Sequence, residues 1–584
     1  MESRANKYHE IRIDPDKTKE LTDVVLSLQH PLGKFGFEYA NAHYDSELYQ
    51  LLFNWHPDHF HENEGIRPGI ILGRRGSGKS SYLNNLARKE HVIPIPVKSW
   101  DVVDLVEQQV REILKDQENV DPEKVSEIWH LVFLTLATRE AIKHKIVSSK
   151  FREILDNFPI KEMASLSITA LASNIMAIFG RKYIEKRRET QNISLVLEAM
   201  QLGFDSLSQW ETFLSDGARK ANKYLILMID NPERLIAQKP TRDEEWDKAY
   251  SESSTARWQS YAGLLHLIAH FHESKVGIQI RYCVAAEQYF FLQERSSAIL
   301  KDFADVRLLH WSSGDLLSSL AHRYMIYLQF HPENRDEDKY QELLNMDIYR
   351  REGAQQFFNS IFESEIVNGR LNNENPVDYL LRHTQLLPRQ LLVYMNAAMQ
   401  TALTRNPKTK LTTLRVEDLK YAVEEFEELL ATEIIDSFSD SFPEGGNIID
   451  NIQNLPIHDV YKNYKKNWQQ FGANKALREY SNFPQVTVDS DRLMKFFTEV
   501  GILGRALNTA NEEGYLNVEF EYTLPRRLHA NPSDLMAIHP IFSSYTDPQS
   551  HSQLDPSKGV YPKGSSLDDL QDKSKIQRKY VRKK

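Results

Sequence analysis

Eight consecutive residues, Gly73-Arg74-Arg75-Gly76-Ser77-Gly78-Lys79-Ser80, fit the phosphate-binding pattern G-x-x-x-x-G-K-[ST]. Several phosphate charges must be held by groups that do not crowd them. Glycines at 73, 76 and 78 admit positive φ and let the backbone come close. The loop N–H groups then form a nest, and the start of the following helix adds its positive dipole end. Lys79 is expected to reach the β- and γ-phosphates, and Ser80 to place its hydroxyl on Mg²⁺. Ser81 completes the set expected to line a nucleoside triphosphate site.

The pattern carries meaning only between a strand and a helix. Pro68-Gly69-Ile70-Ile71-Leu72 reads as a buried strand, and Ser81 to Ala87 as a helix. A second continuous apolar run, Tyr224 to Ile229, ends in Asp230. Ligands gather at the C-terminal tips of buried parallel strands, so Asp230 is the expected Mg²⁺ carboxylate. Glu233, three residues on, is the candidate base for the attacking water. Ile278 to Glu287 reads as a further core strand whose tip offers Ala285 and Ala286, then Glu287, and no clear polar sensor for a γ-phosphate. Val306 to Trp311 reads as the fifth strand, and His91 to Val97 as a second strand that Pro94 and Pro96 demote to an edge or to a strand end. Strands separated by helices predict an α/β fold with a parallel sheet, here a P-loop NTPase core.

The rest of the chain is read around that core. A length of 584 residues exceeds one core, so several domains are expected. The core is placed at 1–311, with a helical insertion over about 101–221 on its 3.6-residue periodicity. A helical lid follows at 312–435, where Leu387-Pro388-Arg389 opens a helix and Arg389 is a candidate to reach the phosphates. At 436–550, helices lead to Gly501–Gly504, read as a turn. The alternating run Tyr515 to Tyr522 then pairs with Asp534 to His539, a two-strand wing and hence a winged-helix-like domain that binds DNA or protein. Residues 551–584 are polar, then basic, and are read as a disordered tail.

Composition excludes several classes. A net charge of −10 means that any nucleic-acid contact must come from a local patch. The one cysteine, Cys283, rules out a disulfide framework and fits a reducing cytoplasm. The polar segment Met1–Asn6 lacks a signal-peptide core, and Met163 to Gly180 is too short and too polar to span a bilayer. A cytoplasmic protein without membrane contact is expected. His56, His59 and His61 lie in a Pro/Asp/Asn loop without a matching carboxylate or thiol set, and a solvated loop is the plainer reading. No Ser/His/Asp, Cys/His or clustered-carboxylate arrangement points to a hydrolase or nuclease, and neither repeats nor coiled coils stand out.

Gly73–Ser80, Leu225–Glu233, Val306–Arg323, Leu387-Pro388-Arg389 and Met536–Phe542 follow one another in an order that resembles the bacterial P-loop ATPases of the AAA+/STAND type, including those labelled origin-recognition-like. The resemblance covers about 40 to 550. It implies an ATPase with ATP and Mg²⁺ as cofactors, an α-helical lid, a winged-helix C-terminal domain, conformational switching and assembly into a homo-oligomer. It implies an effector partner, a nuclease or other enzyme, since some members sit beside such proteins in anti-phage defence systems. It assigns Arg389 the lid-arginine role, and makes Arg281, Arg295, Arg307 and Arg323 candidates for an arginine finger. Asn231 stands where many related ATPases carry a catalytic Glu, which puts hydrolysis in question more than binding. Two alternatives stand beside the ATP-driven switch: a DNA-binding origin-recognition-like loader or regulator, and a nucleotide-gated scaffold with little turnover.

Overall fold

The computed structural model describes residues 69–97, 99–114, 121–186, 193–230, 259–271, 277–287, 306–367, 373–439, 441–442, 445–450, 490–507, 516–523, 528, 536–542, 545 and 560–565. The chain divides into two compact units. Among the described residues, one holds 69–73 and 79–308, and the other holds 74–78 and 309–565.

The first unit is built on a five-stranded parallel sheet. Its strands are β1 (Ile70–Gly73), β2 (Val92–Val97), β3 (Tyr224–Ile229), β4 (Ile278–Ala285) and β5 (Val306–Leu308), in the order β2-β3-β4-β1-β5. β1 is fully buried between β4 and β5, with Ile70 opposite Tyr282 on one side and Val306 on the other. β3 carries the continuous apolar run that a strand covered on both faces requires, whereas β4, equally buried, includes Gln279 and Arg281, which pair with each other. β2 takes an edge, which suits a strand whose Pro94 and Pro96 cannot donate to a ladder on both sides. α1 (Lys79–Ala87) follows β1 after the phosphate-loop residues.

Among the described residues, six helices lie in the interval between β2 and β3: α2 (Ser99–Leu114), α3 (Pro122–Lys143), α4 (Ser149–Leu155), α5 (Ile168–Lys186), α6 (Ile193–Ala199) and α7 (Leu207–Lys220). α3 starts on Asp121, whose side chain accepts from the Glu123 N–H, with Pro122 in the first turn. It is apolar on nearly every face, with Trp129, Leu131, Val132, Phe133 and Leu134 all buried, as befits a helix in the interior of a unit. One continuous core joins these helices to the sheet and to a further helix, α8 (259–271). Among the described residues no helix is long and apolar enough to cross a membrane.

The second unit begins with α9 (Ser313–Phe330), opened by a reciprocal capping box between Ser312 and Asp315. α10 (Glu337–Leu344), α11 (Arg351–Ile361), the hairpin β6 (Ile366–Val367)/β7 (Asn373–Glu374), α12 (Pro376–Arg382), α13 (Pro388–Arg405) and α14 (Val416–Ser437) follow. Beyond α15 (Gly445–Asp450) and α16 (Ser490–Glu499) lies a four-stranded sheet of β8 (Leu503–Ala506), β9 (Leu516–Glu519), β10 (Met536–Ile538) and β11 (Val560–Pro562), in the order β10-β8-β9-β11.

That sheet differs from the two-strand wing expected. Gly501, at φ +81°, makes the turn, but the chain is already a strand from Leu503. Gly504 belongs to that strand because Phe520 and Val518 side chains come within 2.6 Å of where its Cβ would be. Met536–Ile538 therefore pairs with Leu503–Arg505, not with the 516–519 strand. The segment read as a tail from 551 supplies β11, which pairs in parallel with β9. The basic residues from 573 onward lie outside the described residues.

Candidate nucleotide site

In the first unit, β1 ends at Gly73 and α1 starts at Lys79. Lys79 is buried, and its ammonium donates to the Gly73 carbonyl at 3.0 Å. The first turn of α1 carries no acidic residue of its own. Ser80 Oγ donates to Asp230 Oδ2 at 2.5 Å. These two residues are 150 apart in the chain. They meet because β3 delivers Asp230 to the same end of the parallel sheet as the loop after β1, across the intervening strand β4. A hydroxyl and a carboxylate in contact are two hard oxygen donors of the kind Mg²⁺ takes. Ser81 is buried in the same turn of α1. On β4, Cys283 is a buried thiol whose Sγ lies 3.8 Å from the Lys79 carbonyl oxygen. Burial first, and then the Asp230 charge, push its pKa well up, so it packs as a neutral side chain.

Residues 74–78 make their contacts within the second unit. Gly76 and Gly78 hold φ of +82° and +96°, the conformations the pattern needs glycine for, whereas Gly73 is part of the strand. The Ser77 N–H closes a turn on the Arg74 carbonyl at 3.0 Å. Trp311, expected within the fifth strand, lies beyond its end at Leu308. Its indole N–H instead donates to the Ser77 carbonyl at 2.8 Å in a buried setting. Arg389, the second residue of α13, lies against Gly76: a Cβ there would stand 3.1 Å from the Arg389 Cβ. Its guanidinium donates to Glu433 Oε1 on α14 at 2.8 Å.

Arg74 reaches furthest. Its guanidinium lies 5.5 Å from the Phe438 ring centroid and 5.4 Å from that of Tyr522, and it donates to the Val500 carbonyl at 3.3 Å. The same carbonyl accepts from Gln385 Nε2 at 3.1 Å. Val500 thus ties the phosphate loop to the segment that leads into Arg389 and to the chain entering β8. Tyr522 continues the connection, its hydroxyl 2.6 Å from His539 Nε2. The sequence points to Arg74 and Arg389 but not to Glu433, Val500 and Tyr522 as their partners, nor to Trp311 as the partner of Ser77. A residue type gives no sign of a partner that only folding brings near.

Glu233 and Asn231 lie outside the described residues, as do Arg295 and His56, His59 and His61. Arg75 is half-buried. Of the arginine-finger candidates, Arg281 and Arg323 are buried. Arg281 donates to Gln279 Oε1 at 2.8 Å and to the Ile280 carbonyl at 3.1 Å, so it is an internal group in this conformation, not one presented to a neighbour. Arg307 is half-buried on β5. A scan against protein-family models found no match to this chain, and a search of curated proteins found none either.

Proposed function

We propose that this protein is an Mg²⁺-dependent ATP-binding and hydrolysing switch. The Ser80–Asp230 contact carries the reading, because it joins the two motifs that a nucleotide–metal site needs. Lys79 would leave the Gly73 carbonyl for the β- and γ-phosphates, and Ser80 and Asp230 would share the ion, directly or through water. Glu233 is the proposed base for water attack on the γ-phosphorus, with ADP as the leaving group. Adenine as the base, a homo-oligomeric state and an effector partner in anti-phage defence rest on the family resemblance.

A switch needs a path from the phosphates to a binding surface. Arg74 would begin one, because its guanidinium engages Phe438, Val500 and Tyr522, and Gly76 lies against Arg389. The C-terminal sheet is a better candidate for a protein partner than for DNA. Arg505 and Lys563 both pair with Glu519, at 2.7 and 3.1 Å, which draws their charge inward. The scaffold reading remains the second one, favoured by the apolar Ala285-Ala286 tip of β4.

Light scattering with and without Mg-ATP, on wild type and Glu233→Gln, with phosphate release recorded on the same samples, tests the switch. Growth to a defined oligomer that Glu233→Gln traps supports it. Normal turnover by Glu233→Gln would remove Glu233 as the base, and no phosphate release from wild type would leave the scaffold reading.

A further inference from the structure

Away from the phosphate loop, three helices of the first unit bring together side chains that no reading above uses. His130 lies on α3, Glu211 on α7 and His270 near the end of α8. Their ligand atoms all lie within 4.8 Å of one another. His270 Nε2 is 3.0 Å from Glu211 Oε2. His130 Nε2 is 3.4 Å from the same oxygen; it is buried and makes no hydrogen bond. The rings are held by an aromatic wall. Phe271 stands edge-on to His130 at 5.3 Å and to His270 at 5.2 Å, and Phe133 stands edge-on to Phe271 at 5.1 Å.

A plain hydrogen-bonded cluster accounts for one imidazole, since His270 donates to the carboxylate. His130 Nε2 stands at the long limit of a hydrogen bond to the same oxygen, a poor fit in a buried site where an unsatisfied polar atom costs about 1–3 kcal/mol. A divalent ion resolves this, because each Nε2 and the carboxylate oxygen then offer it a lone pair. Four-coordinate Zn²⁺ with bonds of roughly 2.0–2.1 Å keeps adjacent ligand atoms about 3.3 Å apart. The observed 3.0 and 3.4 Å bracket that spacing. His130 and Glu211 are buried, while the His270 side chain is 48% exposed, which leaves a solvent side for a water as fourth ligand.

We infer that His130, Glu211 and His270 form a binding site for a Zn²⁺-like divalent transition ion that ties α3, α7 and α8 together. Two imidazoles and one carboxylate suit Zn²⁺, Co²⁺ or Ni²⁺ and disfavour Ca²⁺ and Mg²⁺, which want oxygen ligands. The ion is a staple between the helices inserted after β2 and the helix that precedes β4. The nucleotide reading neither supports it nor depends on it.

The test strips metal from the full chain and titrates it with Zn²⁺ by equilibrium dialysis, with Co²⁺ absorption as a geometric probe. One Zn²⁺ per chain is expected, competing with one Co²⁺ whose visible bands report four-coordination. Losing even an outer partner of a metal ligand costs roughly 10–100-fold in affinity. His270→Ala, a change at a half-exposed position, should therefore weaken Zn²⁺ by at least about a hundredfold while leaving the far-ultraviolet circular dichroism unchanged. His266→Ala, on the same helix but outside the cluster, should bind as wild type. Failure of wild type to hold a stoichiometric ion, or wild-type affinity in His270→Ala, overturns the site.

Discussion

Arg74→Ala separates the two jobs proposed for residues 73–80, holding phosphates and anchoring the second unit. The backbone of residue 74 belongs to the loop, but its side chain is committed to the second unit, against Phe438, Tyr522 and the Val500 carbonyl. Each ring contact is worth about 0.5–1 kcal/mol at a partly exposed site. The hydrogen bond from a charged donor, long at 3.3 Å, adds about 1 kcal/mol, below the usual range for charged donors. The sum is about 2–3 kcal/mol, held between the loop and the chain entering β8. Hydrogen exchange by mass spectrometry over residues 496–503 and 516–523 should read it directly. At one decade per 1.4 kcal/mol, local opening should become roughly 30- to 150-fold more frequent in Arg74→Ala. Mg-ATP affinity should stay within about threefold, since on the proposed reading the phosphates would be met by backbone N–H groups and Lys79. Arg74→Lys keeps the charge but not the planar fork, and should fall between the two. Unchanged exchange would refute the anchor. Loss of ATP binding would show that the guanidinium serves the phosphates instead.

Two further perturbations test neighbouring parts of the reasoning. Gly76→Ala must hold φ near +82° with its Cβ 3.1 Å from that of Arg389. The left-handed conformation alone costs about 1–2 kcal/mol, so denaturant midpoints should fall and Mg-ATP should bind at least about tenfold more weakly. His539 is fully buried, and burial, followed by the charges of His383, Arg74 and Arg382, holds its pKa well below the usual value; a backbone contact at Thr384 opposes them. Its Nδ1 accepts from the Ile541 N–H at 3.1 Å, which leaves no place for a proton there. As pH falls below about 6.5 the unfolded chain takes up a proton that the native state refuses. This site should therefore lose up to about 1.4 kcal/mol of stability per pH unit, while above that pH it adds no slope. Urea unfolding across pH 5 to 8 checks the sign, and His539→Gln should remove this component of the slope.

What could be read in the chain was local. Gly73–Ser80 announces itself because one turn must supply glycines, a lysine and a hydroxyl in fixed order. β1 and β3 announce themselves because burial on both faces demands unbroken apolar runs, and Pro94 and Pro96 mark β2 as an edge. What could not be read depends on distant packing. Gly504 looks like turn punctuation, yet its missing side chain is the space that Phe520 and Val518 fill. Trp311 looks like the end of a strand, yet its hydrogen-bond partner is 234 residues upstream. His130 sits in a helix buried almost all round, so periodicity gave no polar stripe to flag it. Arg389 was expected near the phosphates, and it does lie against Gly76, but its tie to Glu433 needed α13 and α14 folded side by side.

Calorimetric titration of ATP, with and without Mg²⁺, into wild type, Lys79→Ala and Asp230→Asn tests nucleotide binding most directly. One Mg-ATP per chain should bind wild type, Lys79→Ala should abolish the heat, and Asp230→Asn should lose the Mg²⁺ dependence while retaining weaker binding. No heat with wild type, or equal affinity in Lys79→Ala, would contradict a phosphate site at Gly73–Ser80.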